Sequence, residues 1–234
     1  MYRERPSLLG GDAVVWDNAP VAPGVGRVLP DGCMDLIWSA GTLLVAGPDT
    51  RAHLVERAVG HEHVGLRFAP GTGPAVFGVP ADELTDLRVP LADLWPPDRV
   101  RELLERVAAA PDPGAALEAV AGERLSRAEP PAGVGGGWRP AAVEALRRGA
   151  GVGATARQLG LSERQLRRRC LVAFGYGPKT LTRVLRMQRA LELARDGVPL
   201  ATAAARAGYA DQPHLAREVR ALAGVPVTEL LEPA

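Results

Sequence analysis

Three guanidinium groups crowd one short stretch, at Arg164, Arg167 and Arg168, with an amide between them at Gln165. On a helix, positions three and four apart share a face, and Leu166 and Cys170 take the opposite one. Arg can grip guanine with two hydrogen bonds, and Gln can do the same for adenine. A second set holds the equivalent places further on: Gln212, Pro213, His214, Ala216 and Arg217. The chemistry offered is recognition of base edges in a polyanion. An Arg-rich helix face alone is equally well read as ordinary solvated surface, so the elements that carry these residues decide the matter.

Those elements repeat. ATARQLGLSERQLRRRCLVAFG (Ala154–Gly175) aligns with TAAARAGYADQPHLAREVRALAG (Thr202–Gly224). Ala156 and Gly160 match Ala204 and Gly208. After the turn, Ser162, Leu166, Arg168, Cys170 and Gly175 match Asp211, Leu215, Arg217, Val219 and Gly224, so the second turn is one residue longer. A small residue lets two helices cross closely, glycine ends the first helix, and Ser162 or Asp211 caps the next. Ser162 with Gln165 is a capping-box pattern. Leu166, Cys170 and Phe174 form one inward stripe, and Leu215, Val219 and Leu222 the other. The layout is helix-turn-helix, twice.

A helix over Pro178–Arg195 is predicted between the units, with Leu181, Val184, Leu185, Leu191 and Ala194 inward. Eighteen residues make a rod of roughly 27 Å, near the spacing of about 34 Å between successive major-groove segments on one side of a duplex. Arg183, Arg186 and Arg189 lie elsewhere on it. Arg183 and Arg186 are candidates for phosphate contact or for plain surface.

The net charge of +1 conceals a division. Residues 1–130 carry 12 Arg against 19 Asp and Glu, and residues 131–234 carry 15 Arg and Lys179 against 8. A basic half suits DNA, RNA or acidic lipid alike. The preference for Arg over Lys is also what a GC-rich coding sequence produces. No apolar run reaches membrane-spanning length, and the start, MYRERPSLLGGD, lacks a signal-peptide core. With Cys33 and Cys170 far apart, a reducing cytoplasm is expected.

The order and spacing of RMQRALELARDGVPLATAAARA (Arg186–Ala207) and GYADQPHLAREVRALAGVP (Gly208–Pro226) resemble the C-terminal signature of the AraC/XylS regulators. The resemblance covers about residues 138–232. It implies seven helices with two helix-turn-helix units, and it carries base contact to Arg164, Gln165, Arg167 and Arg168 and to Gln212, Pro213, His214, Ala216 and Arg217. Leu215, Val219 and Leu230 or Leu231 stand where the family usually has aromatics, and Val225-Pro226 replaces Thr-Pro. Pro213 leaves the second unit poorer in contacting groups, so the first should supply most specificity.

The fold class expected is α+β. A β-rich domain with trailing helices over 1–128 is followed by a flexible Pro/Gly linker at 129–137 and an all-α DNA-binding domain over 138–234. Strands are predicted near Ala13–Trp16, Gly26–Leu29, Met34–Trp38, Leu43–Ala46, His53–Val59 and His63–Phe68, then helices Asp98–Ala109 and Ala115–Leu125. LPDGCMDLIW (Leu29–Trp38), VAGPDTR (Val45–Arg51) and GLRFAPGTGPAVFGVPADELTD (Gly65–Asp86) resemble an N-terminal domain of uncharacterised role found in some AraC-type regulators. That half of the founding member is a cupin-like barrel; the legible strands are too few to require a full one. Family habit implies effector sensing, dimerisation or both.

Within this half, Trp16, Trp38, Arg67 and Phe68 are the candidates for a ligand pocket, with core filling as the alternative. Phe77 belongs to the same aromatic group. Arg67 could meet an acidic ligand, Asp31 or Asp35. Cys33, His53, His61 and His63 are a weak candidate metal set, since His61 and His63 would share a strand face but no close-spaced Cys pair joins them, with surface or core roles as the alternative; the carboxylates beside Cys33 disfavour a reactive thiolate. No cofactor and no catalytic residue is expected. The partners expected are double-stranded promoter DNA, a small-molecule effector, RNA polymerase and a second copy of the chain, with no membrane. The rival reading is a thiol- or metal-dependent enzyme fused to a DNA-binding domain, although two distant cysteines cannot supply the zinc cluster such repair proteins carry.

Overall fold

Alternating apolar residues in short runs separated by Gly, Pro and Asp fold the first half into eight strands among the described residues. The computed structural model describes residues 2–127 and 137–232. Except for Gly137, the linker expected at 129–137 lies outside the described residues. The strands are β1 (Tyr2–Pro6), β2 (Ala13–Asn18), β3 (Gly24–Val28), β4 (Met34–Ser39), β5 (Thr42–Ala46), β6 (His53–Arg57), β7 (His63–Phe68) and β8 (Arg88–Pro90). Six form one antiparallel sheet in the order β1-β2-β7-β4-β5-β8, and β3 pairs with β6 alone.

Side chains alternate across the large sheet. Ala13, Val15, Met34, Leu36, Val45, Leu66 and Phe68 line its core face. Three helices cover that face: α1 (Gly73–Phe77), α2 (Pro97–Ala109) and α3 (Pro113–Arg127). They contribute Phe77, Val100, Leu103, Val107, Leu117 and Ala121 to a single core. Phe68 meets Phe77 edge-on at 5.5 Å. The outer strands β1 and β8 and the short α1 were not predicted. Both strands sit at sheet edges, where charge and proline replace apolar alternation.

The second half holds six α-helices among the described residues: α4 (Trp138–Arg147), α5 (Val152–Gln158), α6 (Glu163–Phe174), α7 (Pro178–Arg195), α8 (Leu200–Arg206) and α9 (Gln212–Ala223). A 3₁₀ turn at Glu229–Leu231 takes the seventh place. Helix α7 has the predicted bounds and feeds two cores in turn. Leu181, Val184 and Leu185 pack with Leu166, Cys170 and Phe174. Met187, Ala190 and Leu191 pack with Leu215, Val219 and Leu222. The predicted inward position Ala194 is half-buried, while Met187 and Ala190 complete the stripe.

Both second helices are capped as predicted. Ser162 Oγ accepts from Gln165 N at 3.2 Å, and Gln165 Oε1 accepts in return from Ser162 N at 2.9 Å. Asp211 Oδ1 accepts from His214 N at 2.6 Å. Such caps are worth about 1 kcal/mol each. Ser162→Ala and Asp211→Ala should therefore each lower the unfolding free energy by about that amount, as read from urea denaturation midpoints.

Candidate nucleic-acid interface

Burial of Leu166, Cys170 and Phe174 turns the other side of α6 outward. Arg164, Gln165, Arg167 and Arg168 are exposed there, within the first two turns. Arg164, Arg167 and Arg168 have no acidic partner among the described residues. Gln165 differs: its Oε1 is held by the cap, also accepting from Ser162 Oγ at 3.0 Å. A two-bond grip on adenine needs that oxygen, so Gln165 can offer only its amide hydrogens while the cap stands.

On α9, Gln212, Pro213 and Arg217 are exposed, and His214 and Ala216 are half-buried. Pro213 occupies the first turn, where a missing N–H costs nothing. His214 stands edge-on to Tyr209 at 5.3 Å, and its Nδ1 accepts from Ala210 N at 3.4 Å. That leaves Nε2 as its outward donor. The second unit therefore presents fewer and weaker donors than the first.

The two candidates for phosphate contact also make bonds within the protein, Arg183 at the surface and Arg186 half-buried. Arg183 Nε donates to Glu218 of α9 at 2.7 Å. Arg186 lies over the Tyr209 ring, 4.2 Å from its centroid, and donates to the carbonyls of Ala207, at 3.1 Å, and Gly208. Arg189 donates to the Arg147 carbonyl at 3.2 Å. These arginines brace the two units against the rod. Sequence reading missed the role because a guanidinium beside a buried stripe gives no sign of where the next turn's carbonyls fall.

Residues 155–232 match a family described as a helix-turn-helix domain, and residues 13–90 match one described as a domain of unknown function (DUF6597). The first match spans the repeat, its capped helices and the rod. The C-terminal part of the chain carries an AraC-type helix-turn-helix domain. An apo variant of ToxT from Vibrio cholerae strain SCE256 shares the fold, with a TM-score of 0.51 at 11% identity over 97% of this chain and 98% of that one. ToxT from Vibrio cholerae O395 gives 0.49 at 10% identity, over 94% and 96%. Comparison with curated proteins gives no match.

In the first half of the chain, the four ligand candidates do not converge. Phe68 is fully buried in the core, and Trp38 packs against the same core. Trp16 and Arg67 lie on the opposite sheet face, because successive residues of a strand alternate. The Trp16 ring covers Gly65, where a Cβ would sit 2.2 Å from it, and its Nε1 donates to Asp35 Oδ1 at 2.6 Å. Arg67 Nε lies 3.3 Å from Asp35 and 3.5 Å from Asp31, and its Nη1 is 3.3 Å from Glu4. A shared pocket for Trp16, Trp38, Arg67 and Phe68 is thus corrected to two separate faces, and Arg67 pairs with protein carboxylates.

Cys33 stands beside this cluster, and burial, Asp31 and Asp35 push its thiol well up. Among the described residues, no three His, Cys, Asp or Glu side chains gather as metal ligands, and no helix is long and apolar enough to cross a membrane.

Burial pushes the Asp35 carboxyl up to about 6, against the pull of Arg67. A carboxyl with a raised folded pKa binds its proton more tightly when folded. Its contribution is complete below about 4, the unfolded value, and is lost as pH rises through about 6. Asp35→Asn, uncharged throughout, should remove that slope. Between pH 4.5 and 7, wild-type stability should fall by on the order of 2 kcal/mol more than that of the variant, measured by urea unfolding at each pH.

Proposed function

We propose that the regulator reads a two-part promoter site, with α6 in one major-groove segment and α9 in the next. The observation that carries this reading is the row Arg164, Arg167 and Arg168. It is exposed and has no acidic partner among the described residues, while the nearby Arg183 and Arg186 are bound to protein. Unpaired guanidiniums at a helix N-terminal face are what guanine recognition requires. Arg164, Arg167 and Arg168 make the main base contacts, and Gln165 assists through its amide. Gln212, His214 and Arg217 read the second half-site, where Pro213 and Ala216 supply apolar contact.

The 1–128 domain is the input side, sensing an effector or pairing with a second copy. RNA polymerase is the further partner at the promoter, and the protein acts on chromosomal DNA in the cytoplasm. It works by binding and not by catalysis. Metal and thiol chemistry find no support in Cys33, whose thiol is kept protonated by burial and two carboxylates.

The test is selection of bound sequences from random duplex DNA, followed by affinity measurements for the selected site and for unrelated DNA. Arg164→Ala, Arg167→Ala and Arg168→Ala should each cut the ratio of the two affinities by about 5- to 150-fold, the range for losing one two-bond base contact. Arg217→Ala should cost less. Ratios unchanged in all three first-unit variants overturn the assignment.

A further inference from the structure

The three stretches that mark the N-terminal domain in the sequence do not converge on a pocket. They meet the DNA-binding half. In LPDGCMDLIW, the Pro30 carbonyl accepts from Gln188 Nε2 of α7 at 2.6 Å, and Leu29 packs into the second unit's core. A Cβ on Gly32 would lie 3.4 Å from the Tyr176 hydroxyl and 3.6 Å from Leu181. In GLRFAPGTGPAVFGVPADELTD, Gly71 faces Phe174, the last residue of α6, and Thr85 Oγ1 donates to the Gly175 carbonyl at 2.9 Å.

The loop of VAGPDTR reaches both units. At one end Pro48 presses on Gly175, where a Cβ would come within 2.4 Å of the proline ring. At the other, Ala52 N donates to the Leu222 carbonyl of α9 at 2.7 Å. Beside it, Arg27 Nη1 donates to the Ala223 carbonyl at 2.8 Å. Gly175 and Gly224 are repeat partners, both left-handed, with φ of 81° and 76°. Equivalent ends of the two helices are therefore seated on one domain.

That seat is stiff. Asp86 accepts from Thr50 N at 2.7 Å and from Thr50 Oγ1 at 2.6 Å, and its own N–H donates to the Pro48 carbonyl at 3.1 Å. It does so in a left-handed conformation, φ 59°, which an L-residue holds only when its surroundings demand it. From the other side, Arg88 grips the buried Asp49 with two hydrogen bonds of 2.9 and 2.6 Å.

We propose that this loop and its two neighbours form a bracket that sets the distance and rotation between α6 and α9, with Thr85 and Arg27 as positioning residues. The inference rests on the reading that both helices contact DNA. The bracket holds each reader at its C-terminal end and leaves the N-terminal turns free. Losing a seat should loosen the relation between the units and leave each one's own contacts intact.

The experiment uses the full chain and the selected two-part site, with five base pairs inserted between the halves, a turn of about half the duplex repeat. For wild type, simultaneous engagement should fail and affinity should drop by about 100-fold or more. For Arg27→Gln combined with Thr85→Val, the drop should shrink to under about tenfold, because a loosened pair can follow the rotated half. Binding to either isolated half-site should stay within about twofold of wild type, since no base contact is touched. The single variants should fall between, and Thr85→Ser, which keeps the donor, should keep the wild-type profile. Variants that bind the half-sites but show the wild-type penalty overturn the bracket. A wild-type chain without sequence preference overturns the DNA-reading assignment instead, and the bracket with it.

Discussion

A single apolar stripe along α7 has to satisfy two cores at once, and the placement of every reading residue depends on it. Leu181, Val184 and Leu185 serve the first unit, and Met187, Ala190 and Leu191 the second. Burying one such side chain is worth about 1.5–3 kcal/mol. Rolling either unit around the rod would expose several, which outweighs the 1–3 kcal/mol or so that one good base contact supplies. The rod therefore decides which side chains of each unit face outward, and the proposed bracket at Gly175 and Ala223 sets how the two units stand to one another. Arg183 on Glu218 and Arg186 on the Ala207 and Gly208 carbonyls fasten the second unit further.

The same logic explains why the arginines divide into two kinds. Arg183, Arg186 and Arg189 on α7 lie within reach of carbonyls and carboxylates fixed by neighbouring turns, and bind them. Arg164, Arg167 and Arg168 on the outward face of α6 project beyond the packed layer and have no acidic partner among the described residues. Charge content alone does not distinguish them; the difference arises from which helix face the hydrophobic stripe leaves uncovered. The acidic first half adds a contrast of its own, since Arg67 is enclosed by Glu4, Asp31 and Asp35.

The helical half was largely legible in the sequence because its signals are local. Caps at Ser162 and Asp211, glycines at matching places and a four-residue apolar spacing all act within a turn or two, and the repeat states them twice. The six strands β2 to β7 were legible from alternation. Strands β1 and β8 were not, because their own residues are charged or include proline, and β8 also pairs with the distant β5. The supposed pocket failed for a reason the sequence did contain. Arg67 and Phe68 are neighbours in one strand and must face opposite ways. The capping role that occupies Gln165 was readable too, and it competes with base contact for the same oxygen. What lay beyond reach was the seating of Gly175 and Ala223 on Thr85 and Arg27, 90 and 196 residues earlier, since nothing local encodes a contact between distant carbonyls and donors.

The borders of the large sheet bear on how copies of the molecule meet. One border is β1, whose Arg3, Glu4 and Arg5 run into Pro6. The other is β8, three residues long and ended by Pro90. Neither offers the long, flat, apolar rim that templates strand addition. Growth of continuous sheets from one molecule to the next is thereby discouraged at both ends. Copies crowded together are therefore kept from joining by strand addition at β1 or β8.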